Sequence, residues 1–89
     1  MVNKIEFTSF VESLFKEKKV HVQNFDSGCV MLDVYINEMD MLVLQIEDTL
    51  IGVSLIKDYI NHIDLSTISD ITFSSNEEAE NYLINLGID

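Results

Sequence analysis

The chain has 89 residues, of which 16 are Asp or Glu, five are Lys and none is Arg, for a formal net charge of −11. A field of that sign repels nucleic acid and anionic membrane and draws in basic partners, so direct binding to either is excluded as an expectation. Apolar residues make up 47% of the chain, with no Pro and three Gly; this composition suits one folded domain over residues 1–89, and no apolar run approaches the ~20 residues of a membrane span.

Two helix-start signals stand near the amino terminus. Ser9-Phe10-Val11-Glu12 has the spacing of a capping box, and Asn3-Lys4-Ile5-Glu6 is a weaker copy six residues earlier. With either start, Phe7, Phe10, Val11, Leu14 and Phe15 share one broad stripe. Lys16, Lys18 and Lys19 then cluster where the helix dipole favours cations, which predicts a helix ending near Lys18. The period then changes from 3.6 to 2. Val20 and Val22 alternate with His21 and Gln23, Asp26-Ser27-Gly28 supplies turn chemistry, and Val30, Leu32, Val34 and Ile36 alternate with Met31, Asp33 and Tyr35.

Asn37–Asp40 predicts the next turn. Leu42, Leu44 and Ile46 then oppose Met41, Val43 and Gln45, Glu47-Asp48-Thr49 is a short polar break, and Ile51, Val53 and Leu55 continue the alternation. Such short connections favour an antiparallel meander, because parallel strands need crossovers of a dozen residues or more. Gly52 inside the last run marks a candidate bulge or close backbone approach. Residues 57–73 read as a long connection with a helical turn, since Ile56, Ile60 and Ile63 have helical spacing among Asp58, Asn61, Asp64 and Ser66. Ser75-Asn76-Glu77-Glu78 is a further capping box, Ala79, Tyr82, Leu83 and Leu86 form a stripe, and Gly87 is placed as a C-terminal cap, so the last helix spans Asn76 to Leu86.

The predicted fold class is therefore α+β: an N-terminal helix, a three- to four-stranded antiparallel meander and a C-terminal helix in a two-layer sandwich. Both helices are expected on the sheet face made of Val30, Leu32, Val34, Ile36, Leu42, Leu44, Ile46, Ile51, Val53 and Leu55. The other face then holds Met31, Asp33, Tyr35, Met41, Val43, Gln45 and Ser54. Met and Tyr are over-represented where proteins dock, and the same mixture also suits an ordinary half-apolar sheet surface.

Catalytic signals are scarce. His21 and His62 are 41 positions apart, with no Ser or Cys in a nucleophile setting, and no phosphate-binding glycine loop or C-x-x-C pattern occurs. Cys29, alone in the chain, reads as a buried, unreactive thiol whose pKa Asp26 and Asp33 would raise. The acids at 38, 40, 47, 48 and 58 lack the spacing of a calcium loop, so no metal or cofactor is expected. Glu47-Asp48 and Glu77-Glu78 are paired carboxylates, but adjacent acids at a turn or a helix start have local reasons to be there. The first ten residues include Glu6 and lack the apolar core of a secretory signal, and a lone cysteine suits a reducing compartment, so a cytoplasmic location is expected.

The excess negative charge begins at Val20: residues 1–19 hold four Lys against three Glu, and the remainder holds 13 acids against Lys57. Carboxylates laid out at intervals can imitate a phosphate backbone and occupy a cationic channel, while acidity can also serve solubility alone. The helix opening Ser9-Phe10-Val11-Glu12-Ser13-Leu14, the strand Gly52-Val53-Ser54-Leu55-Ile56 and the closing run Ser74-Ser75-Asn76-Glu77-Glu78-Ala79-Glu80-Asn81-Tyr82-Leu83 resemble the layout of small acidic immunity proteins of bacterial contact-dependent or polymorphic toxin systems. That resemblance implies a bacterial, non-enzymatic inhibitor that binds a co-encoded basic toxin, commonly a nuclease. Phage-encoded acidic DNA-mimic inhibitors of defence nucleases, including some anti-CRISPR proteins, are similar in size, charge and element order. A small enzyme or scaffold remains the reading from a different class. Candidate partner-binding residues are Asp33, Tyr35, Glu38, Asp40, Glu47 and Asp48, on or beside the non-core sheet face and its turns.

Overall fold

The computed structural model of the chain describes residues 2–57 and 71–86. In chain order these form helix α1 (Lys4–Leu14), strands β1 (Lys19–Asn24), β2 (Val30–Tyr35), β3 (Met41–Ile46), β4 (Ile51–Ile56) and β5 (Ile71–Phe73), and helix α2 (Asn76–Leu86). The strands make one antiparallel sheet in the order β1-β2-β3-β4-β5. The two-layer α+β arrangement is as expected, and the meander is one short strand longer than expected. Residues 71–73, read from sequence as connection, pair with Ile51–Val53, and the Phe73 ring packs 5.2 Å from that of Tyr82 on α2. The helical turn expected earlier in this stretch, His62 and the Gly87 cap lie outside the described residues.

Asn3, not Ser9, caps α1. Its side chain accepts a hydrogen bond from the Glu6 amide at 3.1 Å. Starting there buries Phe7, Val11 and Phe15, spaced by four, while Phe10 and Leu14 pack half-buried at the side of that stripe. The helix ends at Leu14, earlier than its periodicity suggests, because Phe15 leaves helical geometry and the Lys18 amide closes back on its carbonyl at 2.9 Å. The lysines 16, 18 and 19 therefore fall beyond the last turn. Lys18 Nζ donates instead to the Ile36 carbonyl at 3.1 Å, which ties the helix exit to the sheet.

Each hairpin follows from its turn residues. At Phe25–Cys29 the Phe25 amide donates to the Cys29 carbonyl and the Gly28 amide to the Phe25 carbonyl, with Gly28 at φ 93°, the left-handed position of a three-residue loop. In the next turn the Asn37 side chain accepts from the amides of Met39 and Asp40, both at 2.8 Å, as Asn does when it replaces a backbone acceptor. Glu47 and Leu50 close the third turn at 2.9 Å. Gly52 causes no bulge: it stays in register between Gln45 and Thr72.

That register sorts the side chains cleanly. Leu32, Val34, Leu42, Leu44, Ile46, Ile51 and Val53 are at most 1% exposed and pack with Phe7, Val11, Phe15, Ala79 and Leu83 from the helices, while Ile36 and Leu55 lie at the margin of this core. Full burial of such a side chain is worth about 1.5–3 kcal/mol. Total stability for a domain of this length is about 4–13 kcal/mol, so few of these contacts are dispensable.

At α2, the Ser75 hydroxyl accepts from the Glu78 amide at 3.3 Å, and the Glu78 carboxylate accepts from the hydroxyls of Ser74 and Ser75, both at 3.1 Å. The helix begins where that capping box places it.

Candidate functional site

A meander sends alternate turns to opposite ends of its sheet, here separated by about 20 Å for strands of this length. One end collects the turn at Asp26, the turn at Glu47-Asp48 and the first residues of both helices. Contacts between these elements fix the gathering. The Val2 amide donates to the Asp48 carbonyl at 3.1 Å, Lys4 Nζ reaches both the Asp48 carboxylate at 2.6 Å and the Gly28 carbonyl, and Asn3 and Asn76 bond to each other.

Glu6, Asp26, Glu47, Asp48, Glu77 and Glu78 therefore share one pole with a single described cation, Lys4. Lys16, Lys18, Lys19 and Lys57 lie at the opposite pole with Glu17, Glu38 and Asp40. Among the described residues, charge is thus polarised along the strand direction. The N-termini of α1 and α2 both point to the acidic pole, and their dipoles favour carboxylates there by about 0.3–1 kcal/mol each.

This geometry divides the six candidate contact residues. Glu47 and Asp48 are at the acidic pole, Asp48 exposed but paired with Lys4, and Glu47 half-buried and accepting from Gln45 Nε2 at 3.3 Å. Glu38 and Asp40 are at the other pole, Glu38 exposed, Asp40 within 3.6 Å of Lys57 and accepting from Asn37 Nδ2 at 3.1 Å. Asp33 and Tyr35 lie on the non-core face of β2. The structure brings them together as three pairs, and it adds Asp26, Glu77 and Glu78 to the Glu47-Asp48 pair. Only the strand register reveals that addition, because the contributing turns and helix start are some twenty or more residues apart in the chain.

Cross-strand pairing sets the non-core face in three rows. Lys19, Tyr35, Met41 and Ile56 form the first; His21, Asp33, Val43 and Ser54 the second; Gln23, Met31, Gln45, Gly52 and Thr72 the third. Lys19 lies 5.6 Å from the centre of the Tyr35 ring, a cation–π distance, and His21 Nδ1 is 3.7 Å from Asp33 Oδ2. Met41 is buried without joining the core cluster, and its neighbours Met31, Tyr35, Val43 and Ile56 on this face are half-buried.

Cys29, expected to be buried, is only half-buried, because it sits at the turn end of β2; opposite Glu47 in the continued β2–β3 register, its thiol pKa is raised above the ordinary value by partial burial and then by the Glu47 carboxylate, with Lys4 opposing. The direction is the expected one, but the acid responsible is Glu47; Asp33 lies four residues further along the strand. Among the described residues no group of three or more His, Cys, Asp or Glu is placed to hold a metal ion, and no helix is long and apolar enough to cross a membrane. Surface depressions at Val2–Ile5 and at Leu14–Lys18 are lined by neither Cys29 nor His21. Comparison with protein-family models, with curated proteins and with solved structures finds no match to this chain.

Proposed function

We propose that this protein is a non-enzymatic inhibitor that works by occlusion, an immunity-type protein that covers the basic active or substrate-binding surface of a toxin, most simply a nuclease. The observation that carries this reading is the charge polarity: among the described residues, six carboxylates against one lysine at one end of the sheet, on turns and helix starts braced by Lys4 and by the Asn3–Asn76 bonds. An acidic pole of this kind steers a cationic partner and favours one orientation, because the described carboxylates outnumber lysine at this end and not at the other.

The test is recovery of the partner from the native host, followed by association kinetics at increasing ionic strength. Exposed charges are screened beyond ~8 Å at physiological salt, so the association rate should fall as salt rises. The combined substitution Asp26→Asn, Glu47→Gln and Glu77→Gln keeps size and polarity, and should slow association and flatten the salt dependence. Glu38→Gln at the opposite pole should do little. A tight complex whose rates ignore salt and all of these substitutions would end the electrostatic reading and turn attention to Tyr35, Asp33 and Val43 on the non-core face.

A further inference from the structure

Strand β1 is an edge of the sheet: it pairs with β2 on one side, and no described residue pairs with the other. Natural proteins blunt such edges with proline, inward charges or bulges. This chain has no proline, and from Val20 to Asn24 the edge has no acid, no lysine and no break in register. The hydrogen-bond phase follows from the adjoining turn. The Phe25 amide bonds to the Cys29 carbonyl, so by alternation Gln23, His21 and Lys19 direct their backbone groups toward β2. Val20, Val22 and Asn24 direct theirs outward.

We propose that β1 is a self-pairing edge, through which two copies of this chain join antiparallel about a twofold axis at Val22 and extend the five-stranded sheet to ten. In this register Val22 faces Val22 of the second copy, and Val20 faces Asn24 of the second copy twice over. All three outward residues of each strand then form hydrogen-bonded pairs, giving six new backbone bonds. Opposed residues share a sheet face, so the helices of both copies lie on the same side, and Val20 and Val22, half-buried at the core margin, are covered across the joint. Phe25, 46% exposed, comes opposite Lys19 of the second copy.

Charge selects this occupant and this direction. Antiparallel pairing sets the acidic pole of one copy, with Asp26, beside the lysines at the other end of its neighbour, Lys18 and Lys19. It also keeps the two acidic poles at opposite ends of the joint, about 20 Å or more apart and so beyond the screening length. Parallel pairing would place the two acidic poles side by side. Of each acidic pole the joint engages Asp26 alone and leaves Glu6, Glu47, Asp48, Glu77 and Glu78 open, so Glu47→Gln with Glu77→Gln tests the toxin-binding reading without touching the joint.

Sedimentation of the full chain at ~0.15 M salt should give a dimer that dissociates on dilution. Val22→Pro removes only an outward N–H, a position where an edge strand tolerates proline. It should preserve the circular dichroism spectrum and weaken dimerisation at least about tenfold, whereas proline at His21 would break the β1–β2 ladder. Charge supplies a second, fold-neutral probe: Lys19→Glu should weaken the dimer, and adding Asp26→Lys should restore it. In a Cys29→Ser background under a mild oxidant, Val22→Cys should cross-link two copies, because hydrogen-bonded pairs stand about 5.5 Å apart at Cα. His21→Cys should not. A wild-type monomer at ~0.5 mM, a dimer indifferent to Val22→Pro, or cross-linking through His21→Cys in place of Val22→Cys would each overturn the proposal.

Discussion

Asn3 and Asn76, 73 residues apart, hold each other by two reciprocal bonds: the Asn3 amide donates to Asn76 Oδ1 and Asn76 Nδ2 donates to the Asn3 carbonyl, both at 3.0 Å. One residue caps α1 and the other opens α2, so a single pair locks the starts of both helices and with them the acidic pole. Each bond is worth about 0.5–1.5 kcal/mol. Asn76→Ala should therefore cost about 1–3 kcal/mol in urea unfolding. Asn3→Ala, which keeps its backbone partners and loses the cap to Glu6, should cost about 1 kcal/mol. A neutral Asn76→Ala would mean that the two helix starts are held independently.

Leu32 and Asp33 are neighbours on opposite faces of β2, the first fully buried and the second beside His21. Leu32→Ala would cost about 2–5 kcal/mol, and Leu32→Asp adds an unpaired charge in the core. Against a total of about 4–13 kcal/mol, Leu32→Asp should leave the chain unfolded at room temperature, while Asp33→Leu should fold. Thermal melts of the two variants decide the matter, and equal tolerance would contradict the register.

The contrast between legible and illegible elements has a physical basis. Strands β2, β3 and β4 were readable because the core face carries the fully buried side chains while most of the opposite face is half-buried and mixed in polarity, which writes period two into the sequence; α2 was readable because Ser75 and Glu78 cap it locally. The start of α1 was ambiguous, since the competition between Asn3 and Ser9 is settled by Asn76 and by which phenylalanines reach the core. β5 has three residues, too few to show a period, and depends on pairing with β4 and on the Phe73–Tyr82 contact. Of the candidate site, the sequence showed the acids but not their grouping. Asp26, Glu47 and Glu77 meet only because the strand lengths return each turn to the same end.

Gly28 joins backbone geometry to the clasp of Lys4. It has φ 93°, and a Cβ there would stand 3.3 Å from Lys4 Nζ, the group that bridges the Gly28 carbonyl and Asp48. Gly28→Ala should cost about 1–2 kcal/mol from left-handed backbone strain alone. It should also loosen the β1–β2 turn, seen as faster amide hydrogen exchange at Phe25 and Val2. Gly28→Asn, which tolerates this conformation better, should cost less. Identical losses for the two would assign the penalty to the space beside Lys4.

Cys29 offers a pH-dependent readout of the same pole. Burial and Glu47 disfavour its thiolate while Lys4 favours it, and the net shift is upward. A folded-state thiol pKa above the unfolded value means that the native state holds its proton longer. This contribution to stability is present below the unfolded pKa, and it declines as pH rises through the folded value. Alkylation of the folded protein by iodoacetamide should accordingly be slower near neutrality than that of the urea-unfolded chain, with its midpoint displaced to higher pH. Glu47→Gln should move the midpoint down and Lys4→Gln should move it up. Opposite movements would show that Cys29 faces another set of charges, and that the turns at Gly28 and Glu47 are not neighbours at this end of the sheet.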